Sequence, residues 1–228
     1  MKYFLSFFVF SGLLSSCEPD EGINPRRGAE YFTFQTGTFQ VYDVSEIRYS
    51  LSEDPVEVRY ELRAEVVDSF PTADNLYTYV IHREKRATAS DPWQSVDTWS
   101  ARQENGQIIV SEGNTPYVKF SSPLAVENVW DGNAYNTLGE DQYRYTGIGA
   151  QMDLNGMTFD NTITVEQEDN EDAIVFRDER KEVYALNLGL VYKEFIQMNY
   201  CTDDVCLGQQ RIDHGIEIRM VIRDYGKQ

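Results

Sequence analysis

Few side chains in this sequence are of a kind that does chemistry by itself, and each also has a structural reading. Cys201 and Cys206 bracket Thr202-Asp203-Asp204-Val205, a turn-like tetrapeptide between the apolar runs Phe195–Met198 and Ile212–Ile222. Thiols flanking a four-residue hairpin loop sit at a separation that a disulfide bridges. Closing so short a loop stabilises by about 2 kcal/mol. A metal needs about four ligands, and the region adds only His214 to the two thiols. The pair therefore predicts a disulfide and no metal site. His82 and His214 each lie in or beside a strand-like run and read as structural or surface residues. There is no G-x-S-x-G, H-E-x-x-H, P-loop or G-x-G-x-x-G motif, and no cofactor is implied. Among 38 acidic residues some carboxylates lie close by chance, so a glycosidase pair has no sequence signature here. The runs Glu166–Asp172 and Asp203-Asp204 offer oxygen ligands that calcium accepts. They lack the spacing and glycine of a calcium loop, and read as solvated hairpin tips.

The most site-like segment is Trp130-Asp131-Gly132-Asn133-Ala134-Tyr135-Asn136. It groups an indole, a phenol, a carboxylate and two amides. Aromatic faces flanked by amides suit sugar rings, so Trp130, Asp131, Asn133 and Tyr135 form the candidate ligand-binding surface. In the competing reading Trp130 and Tyr135 plug one end of a sheet while the Asx residues shape a turn. For these two aromatics the plug is the favoured reading.

The elements that must position these residues are strands. Val56-Glu57-Val58-Arg59-Tyr60-Glu61-Leu62-Arg63-Ala64-Glu65-Val66 alternates apolar and charged residues without a break. A strand sends alternate side chains to opposite faces, so the even positions are expected to be buried and the odd ones wet. Ile216-Glu217-Ile218-Arg219-Met220 repeats the pattern. Further strands are predicted at Phe39–Ser50, Leu76–Arg86, Trp93–Gln103, Gln107–Glu112, Tyr117–Ser121, Tyr143–Asp153, Met157–Gln167 and Val183–Met198. Asn105-Gly106 and Asn155-Gly156 sit between such runs and suit tight hairpin turns. Asp172–Lys181 reads as a short helix or another hairpin. The expectation is an all-β fold, an antiparallel meander of about ten strands forming a curved sheet, barrel or sandwich.

The N-terminus carries an address. Lys2, the apolar stretch Tyr3–Leu14 and Leu14-Ser15-Ser16-Cys17 resemble a bacterial lipoprotein signal: charged start, short h-region, small residues before cysteine. The stretch is too short for a permanent span; the alternative is an ordinary secretory signal with an incidental Cys17. The resemblance implies a signal peptide over residues 1–16 and acylation at Cys17, whose palmitate-type chains would be the membrane partner. Residues 17–30, with two prolines and two glycines, read as an acidic tether; residues 31–228 form one β-rich domain. Glu18, Asp20 and Glu21 resemble the acidic export signal of Bacteroidota surface lipoproteins, which implies an outer-membrane protein exposed outside the cell. The formal charge of −18 argues against nucleic acid and anionic headgroups.

Two further stretches extend the likeness. Gly37-Thr38-Phe39-Gln40-Val41-Tyr42-Asp43-Val44 resembles an opening strand, and Gly189-Leu190-Val191-Tyr192-Lys193-Glu194 a late strand, of uncharacterised Bacteroidota lipoproteins. This resemblance implies a β-rich fold and an envelope location, and supplies no catalytic residue. Two classes stay open: a non-enzymatic binding or accessory module for a glycan or envelope protein, and a carboxylate-dependent hydrolase of envelope or dietary polysaccharide. A variant of the first is a carrier of lipid or another apolar ligand in an open barrel. The binding class is favoured, and the sheet interior is the discriminating feature.

Overall fold

The computed structural model describes residues 28–72 and 76–228. Residues 1–27, with the expected signal peptide and the expected acylation site Cys17, lie outside them. Twelve antiparallel strands follow in order: β1 Thr38–Ser50, β2 Glu53–Pro71, β3 Tyr77–Arg86, β4 Gln94–Glu104, β5 Gln107–Glu112, β6 Thr115–Ser121, β7 Val129–Asp131, β8 Gln142–Leu154, β9 Met157–Asp172, β10 Phe176–Ala185, β11 Gly189–Tyr200 and β12 Ile212–Lys227. They form one sheet in the order β6-β5-β4-β3-β2-β1-β12-β11-β10-β9-β8-β7, curled into a nearly closed barrel. The first and last strands are paired along their length, from Thr38 opposite Lys227 to Ser50 opposite His214. The seam therefore falls in mid-chain, between β6 and β7. There Val118 donates its N–H to the Gly132 carbonyl at 2.9 Å, and the Trp130 indole donates to the Val118 carbonyl at 2.8 Å.

Asn105 and Gly106 both have positive φ, as do Asn155 and Gly156, the backbone that tight hairpin turns demand. The all-β expectation holds, with two strands more than the ten read from sequence. Val183–Met198 is two strands, split by a turn at residues 186–188. Its apolar residues run on through the turn, so periodicity gave no stop. Asp172–Lys181 is a hairpin, with residues 173–175 as the turn. The short β7 lies within the stretch read as a loop.

Ahead of Tyr31, Gly28 and Ala29 already pack against the core. Gly28 caps a 3-10 turn over Ala29–Tyr31, and Tyr31 is fully buried. Tyr31, Phe32 and Phe34 then enter the barrel from that end. Phe32 meets Phe120 edge-on at 5.1 Å and Tyr184 at 5.0 Å, and Phe34 stacks on Tyr79 at 4.9 Å. Each such ring removes roughly 150–250 Å² from water, enough to fix the segment that directly follows the tether-like residues. One buried cluster forms around these rings with Trp130, Tyr143 and Tyr145; a second joins Tyr42, Leu62, Val191, Met220 and Ile222.

The alternating segment of β2 departs from its expected burial at two places. Leu62 and Val66 are buried, but Val56 is 54% and Val58 47% exposed. They occupy the inner register, opposite Arg48 and Glu46 of β1, near the tip of the β1–β2 hairpin. Alternation reports which residues share a face, and not how far the surrounding wall extends. On the odd register Glu61 is only 5% exposed. Arg86 approaches it to 2.6 Å and Arg223 to 2.9 Å.

Candidate functional site

The barrel encloses a cavity of about 280 Å³, close to the lower end of the roughly 300–1,000 Å³ of small-molecule sites. Its floor is the N-terminal segment Phe32–Phe34, and apolar side chains of β2, β3, β4, β5 and β12 form most of its wall. These side chains converge because β1 and β2 pair in register, Tyr42 opposite Leu62 and Gln40 opposite Ala64, so one face of each strand turns inward. Gln40 fixes the floor, donating to the Thr33 hydroxyl at 2.8 Å and the Leu188 carbonyl at 2.7 Å.

Five charged side chains break the apolar lining: Arg83, which pairs with Asp97, and the group Glu112, Lys119, Glu182 and Lys193. Lys119 Nζ lies 2.7 Å from Glu112 and 2.9 Å from Glu182. Lys193 Nζ lies 3.0 Å from the same Glu182 oxygen, and the Tyr184 hydroxyl donates to the other at 2.6 Å. Burial opposes ionisation of Glu182, but Lys119 and Lys193 outweigh it and hold its carboxyl well below the usual carboxylate range. Burial likewise opposes ionisation of Glu112, which Lys119 and Lys193 pull downward. Burial acts to lower Lys119, yet Glu112 and Glu182 raise it above an ordinary lysine. Both carboxylates are thus fixed as anions. A glycosidase acid needs the opposite, a carboxyl whose pKa is raised so that it keeps its proton.

Toward the end of the strands away from the Phe32–Phe34 floor, Tyr60 is shared between this cavity and an open cleft of about 670 Å³. The cleft is lined by β1, β2, β3 and the loop that follows β3.

The segment singled out in the sequence lies at the seam. Trp130 is buried, its ring 4.6 Å from that of Tyr145 and 6.1 Å from that of Tyr143. A Cβ on Gly132 would run into the Tyr143 ring, which explains the glycine between Asp131 and Asn133. Asp131 accepts the N–H groups of Asn133 and Asp141 at 2.9 and 3.0 Å, and Asn133 is buried with its amide on the Gly139 carbonyl at 2.8 Å. Tyr135 alone of the four is exposed, its hydroxyl donating to Gln107 at 3.0 Å. The indole and the two Asx side chains shape a turn across the seam, and only Tyr135 presents a ring outward.

Cys201 and Cys206 form a disulfide, though not at the two mouths of a four-residue loop. The β11–β12 connection spans residues 201–211; Cys201 pairs with Arg211, its N–H bonded to that carbonyl at 2.7 Å. The bridge closes a compact turn, in which Cys206 and Leu207 donate to the Asp203 carbonyl. His82 bonds Ser95 at 2.9 Å, and the exposed His214 sits between Asp213 and Asn199. Asp203 and Asp204 are exposed, and Glu171–Asp172 lie at an exposed hairpin end. Sequence reasoning missed Lys119, Glu112 and Glu182, whose convergence across the barrel has no local signal. Lys193 was noticed only as part of a strand motif.

No protein-family model matches the chain, and no curated protein matches it in sequence. Two solved structures are similar. One, from Bacteroides fragilis, is described as an exported protein with a YmcC-like fold; it is 13% identical at a TM-score of 0.47, over 86% of this chain and 98% of that one. The other, from Parabacteroides distasonis, is described as a lipoprotein; it is 11% identical at a TM-score of 0.42, with the same coverage. Neither description names a ligand, and no residue role passes from either protein to this one.

Proposed function

We propose that this chain is an outer-membrane lipoprotein, acylated at Cys17 and exposed outside the cell, that binds a small apolar ligand inside its barrel without catalysis. The observation that carries this reading is the cavity itself, an apolar space held open inside an otherwise packed sheet. The ion network supports binding over hydrolysis, because Glu112 and Glu182 are both engaged by Lys119 and neither is set to give up a proton. The anchor rests on the lipobox and the acidic tether. Gly28, the first described residue, packs against Phe120 near the cavity floor.

Two measurements test the reading. Cys17→Ser is expected to move the protein from the membrane to the soluble fraction; retention in the membrane overturns the anchor. The neutral probe N-phenyl-1-naphthylamine is expected to bind the soluble form with a rise in fluorescence. Ala64→Trp, which fills the cavity, is expected to abolish that rise while circular dichroism stays unchanged. Equal fluorescence in both proteins overturns the interior site. Turnover of a polysaccharide, lost on changing Glu112 or Glu182, overturns the non-enzymatic reading.

A further inference from the structure

The chain as a whole has 38 acidic against 20 basic side chains, but the lining of the cavity and its mouth inverts that ratio. Inside, Arg83, Lys119 and Lys193 face Glu112 and Glu182. In the cleft beyond Tyr60, Arg48, Arg59, Lys85 and Arg86 face Glu46 and Asp91. Most of these cations are engaged. Arg48 pairs with Glu46, Arg59 with Glu57, Arg86 with Glu61 and Arg83 with Asp97. Lys85 differs: it is exposed, and among the described residues no carboxylate pairs with it. Its Nζ instead lies 5.7 Å from the centre of the Tyr60 ring, the ring at which cavity and cleft meet. The inner register of β2 runs without a break from Ala64 and Leu62 in the cavity through Tyr60 to Val58 in the cleft. Apart from its internally paired ions the site is thus apolar at depth. At its opening Lys85 is the cation left without an ion pair among the described residues; the nearby carboxylates are engaged, Glu46 by Arg48 and the Tyr60 hydroxyl and Asp91 by Thr88.

Resting on the interior-binding reading above, we infer that the ligand is a single-chain anionic amphiphile of the fatty-carboxylate class. Its chain lies among Leu62, Ala64, Ile81, Val110 and Met220, and its carboxylate meets Lys85 beside Tyr60. The size suits one medium-length chain. At about 30 Å³ per water-sized group, the cavity of about 280 Å³ holds about nine such groups. The protein's own negative field repels an anion at long range, so preference for one must come from a local cation, which the mouth supplies. A buried network that is already neutral, as around Lys119, leaves the depth of the cavity to the apolar tail.

The test uses the full mature chain with Cys17→Ser, so that no acyl group or detergent competes, and N-phenyl-1-naphthylamine as the displaced probe. Decanoate, 1-decanol and decyltrimethylammonium have the same chain and differ in head charge. Decanoate is expected to displace the probe at a concentration at least tenfold lower than decanol, and decyltrimethylammonium least well. Lys85→Ala and Lys85→Gln are each expected to bring decanoate to the decanol value while leaving decanol unchanged. Equal displacement by decanoate and decanol, or a decanoate preference that survives both Lys85 substitutions, overturns this inference and leaves the interior site standing. Absence of any probe binding by the folded protein removes the interior site itself.

Discussion

Glu61 and Glu57 lie four residues apart on the same charged register of β2, and their surroundings give them different weights. Glu61 is buried between Arg86 and Arg223, whereas Glu57 is exposed, ion-paired with its neighbour Arg59 and accepting the Ser45 hydroxyl at 3.3 Å. Glu61→Lys leaves two guanidinium groups facing a third cation, and is expected to destabilise by about 3–5 kcal/mol. Glu57→Lys is expected to be nearly silent. Urea unfolding of both variants checks this, and equal midpoints would refute the assigned burial. A second contrast separates the aromatics at the seam. Trp130→Ala removes a buried indole and its bond to Val118, at an expected cost of about 3–5 kcal/mol. Tyr135→Ala loses one exposed hydrogen bond and is expected to cost below about 1 kcal/mol. Thermal melts of the two distinguish a structural turn from a surface tolerant of change at both rings.

At the scale of elements, the disulfide ties the first half of an irregular connection whose backbone bonds are few. The Cys201→Ser, Cys206→Ser double variant is expected to lose about 2 kcal/mol. For a domain of this size that is a drop in melting temperature of about 4–8 °C, with far-ultraviolet dichroism retained because the strands pair without the bridge. An unchanged melting temperature would show that the loop is held by its hydrogen bonds alone. The same connection shows the limit of spacing arguments. The separation of Cys201 and Cys206 predicts their pairing, but the connection runs beyond the tetrapeptide they bracket, through Gly208 at positive φ to Arg211, and β12 starts only at Ile212. Val183–Met198 differs in the opposite sense: a three-residue turn, Leu186-Asn187-Leu188, lies inside a largely apolar run, with Asn187, the turn's one polar residue, at positive φ.

Across the whole molecule, Lys119 of β6 and Glu182 of β10 join the two halves of the sheet through the barrel interior. This bond predicts a pH window. Glu182 is held below its ordinary value of 4.5, so its contribution is complete above that pH. As pH falls below 4.5 the unfolded chain takes up the proton first, and the contribution declines toward the lower folded value. Lys119 is held above its ordinary 10.5, so its contribution is complete below that pH and declines as pH rises past it. The stability difference between the wild type and a Glu112→Gln, Lys119→Met, Glu182→Gln, Lys193→Met variant, which neutralises the whole network, is therefore expected to be flat between about pH 5 and 10. It is expected to change at both ends of that range. Chemical denaturation across pH measures it, and a difference that varies within the plateau would exclude the coupled network as its source.

Residue pattern by itself determined that this chain is a β meander, where its Asn-Gly turns fall, that two cysteines pair, and which side chains of β2 share a face. Those features are local: strand alternation, turn backbone and loop reach are decided within a few residues. The tertiary structure decided what lies on the inside. Val56 shares a register with Leu62, but only the height of the barrel wall decides that Leu62 is buried and Val56 is wet. Trp130 has the composition of a binding loop, and only the seam between β6 and β7 turns its indole inward. Lys119 and Glu182 are 63 residues apart, and no spacing rule joins them. They meet because the sheet curls until opposite strands face one another across the cavity.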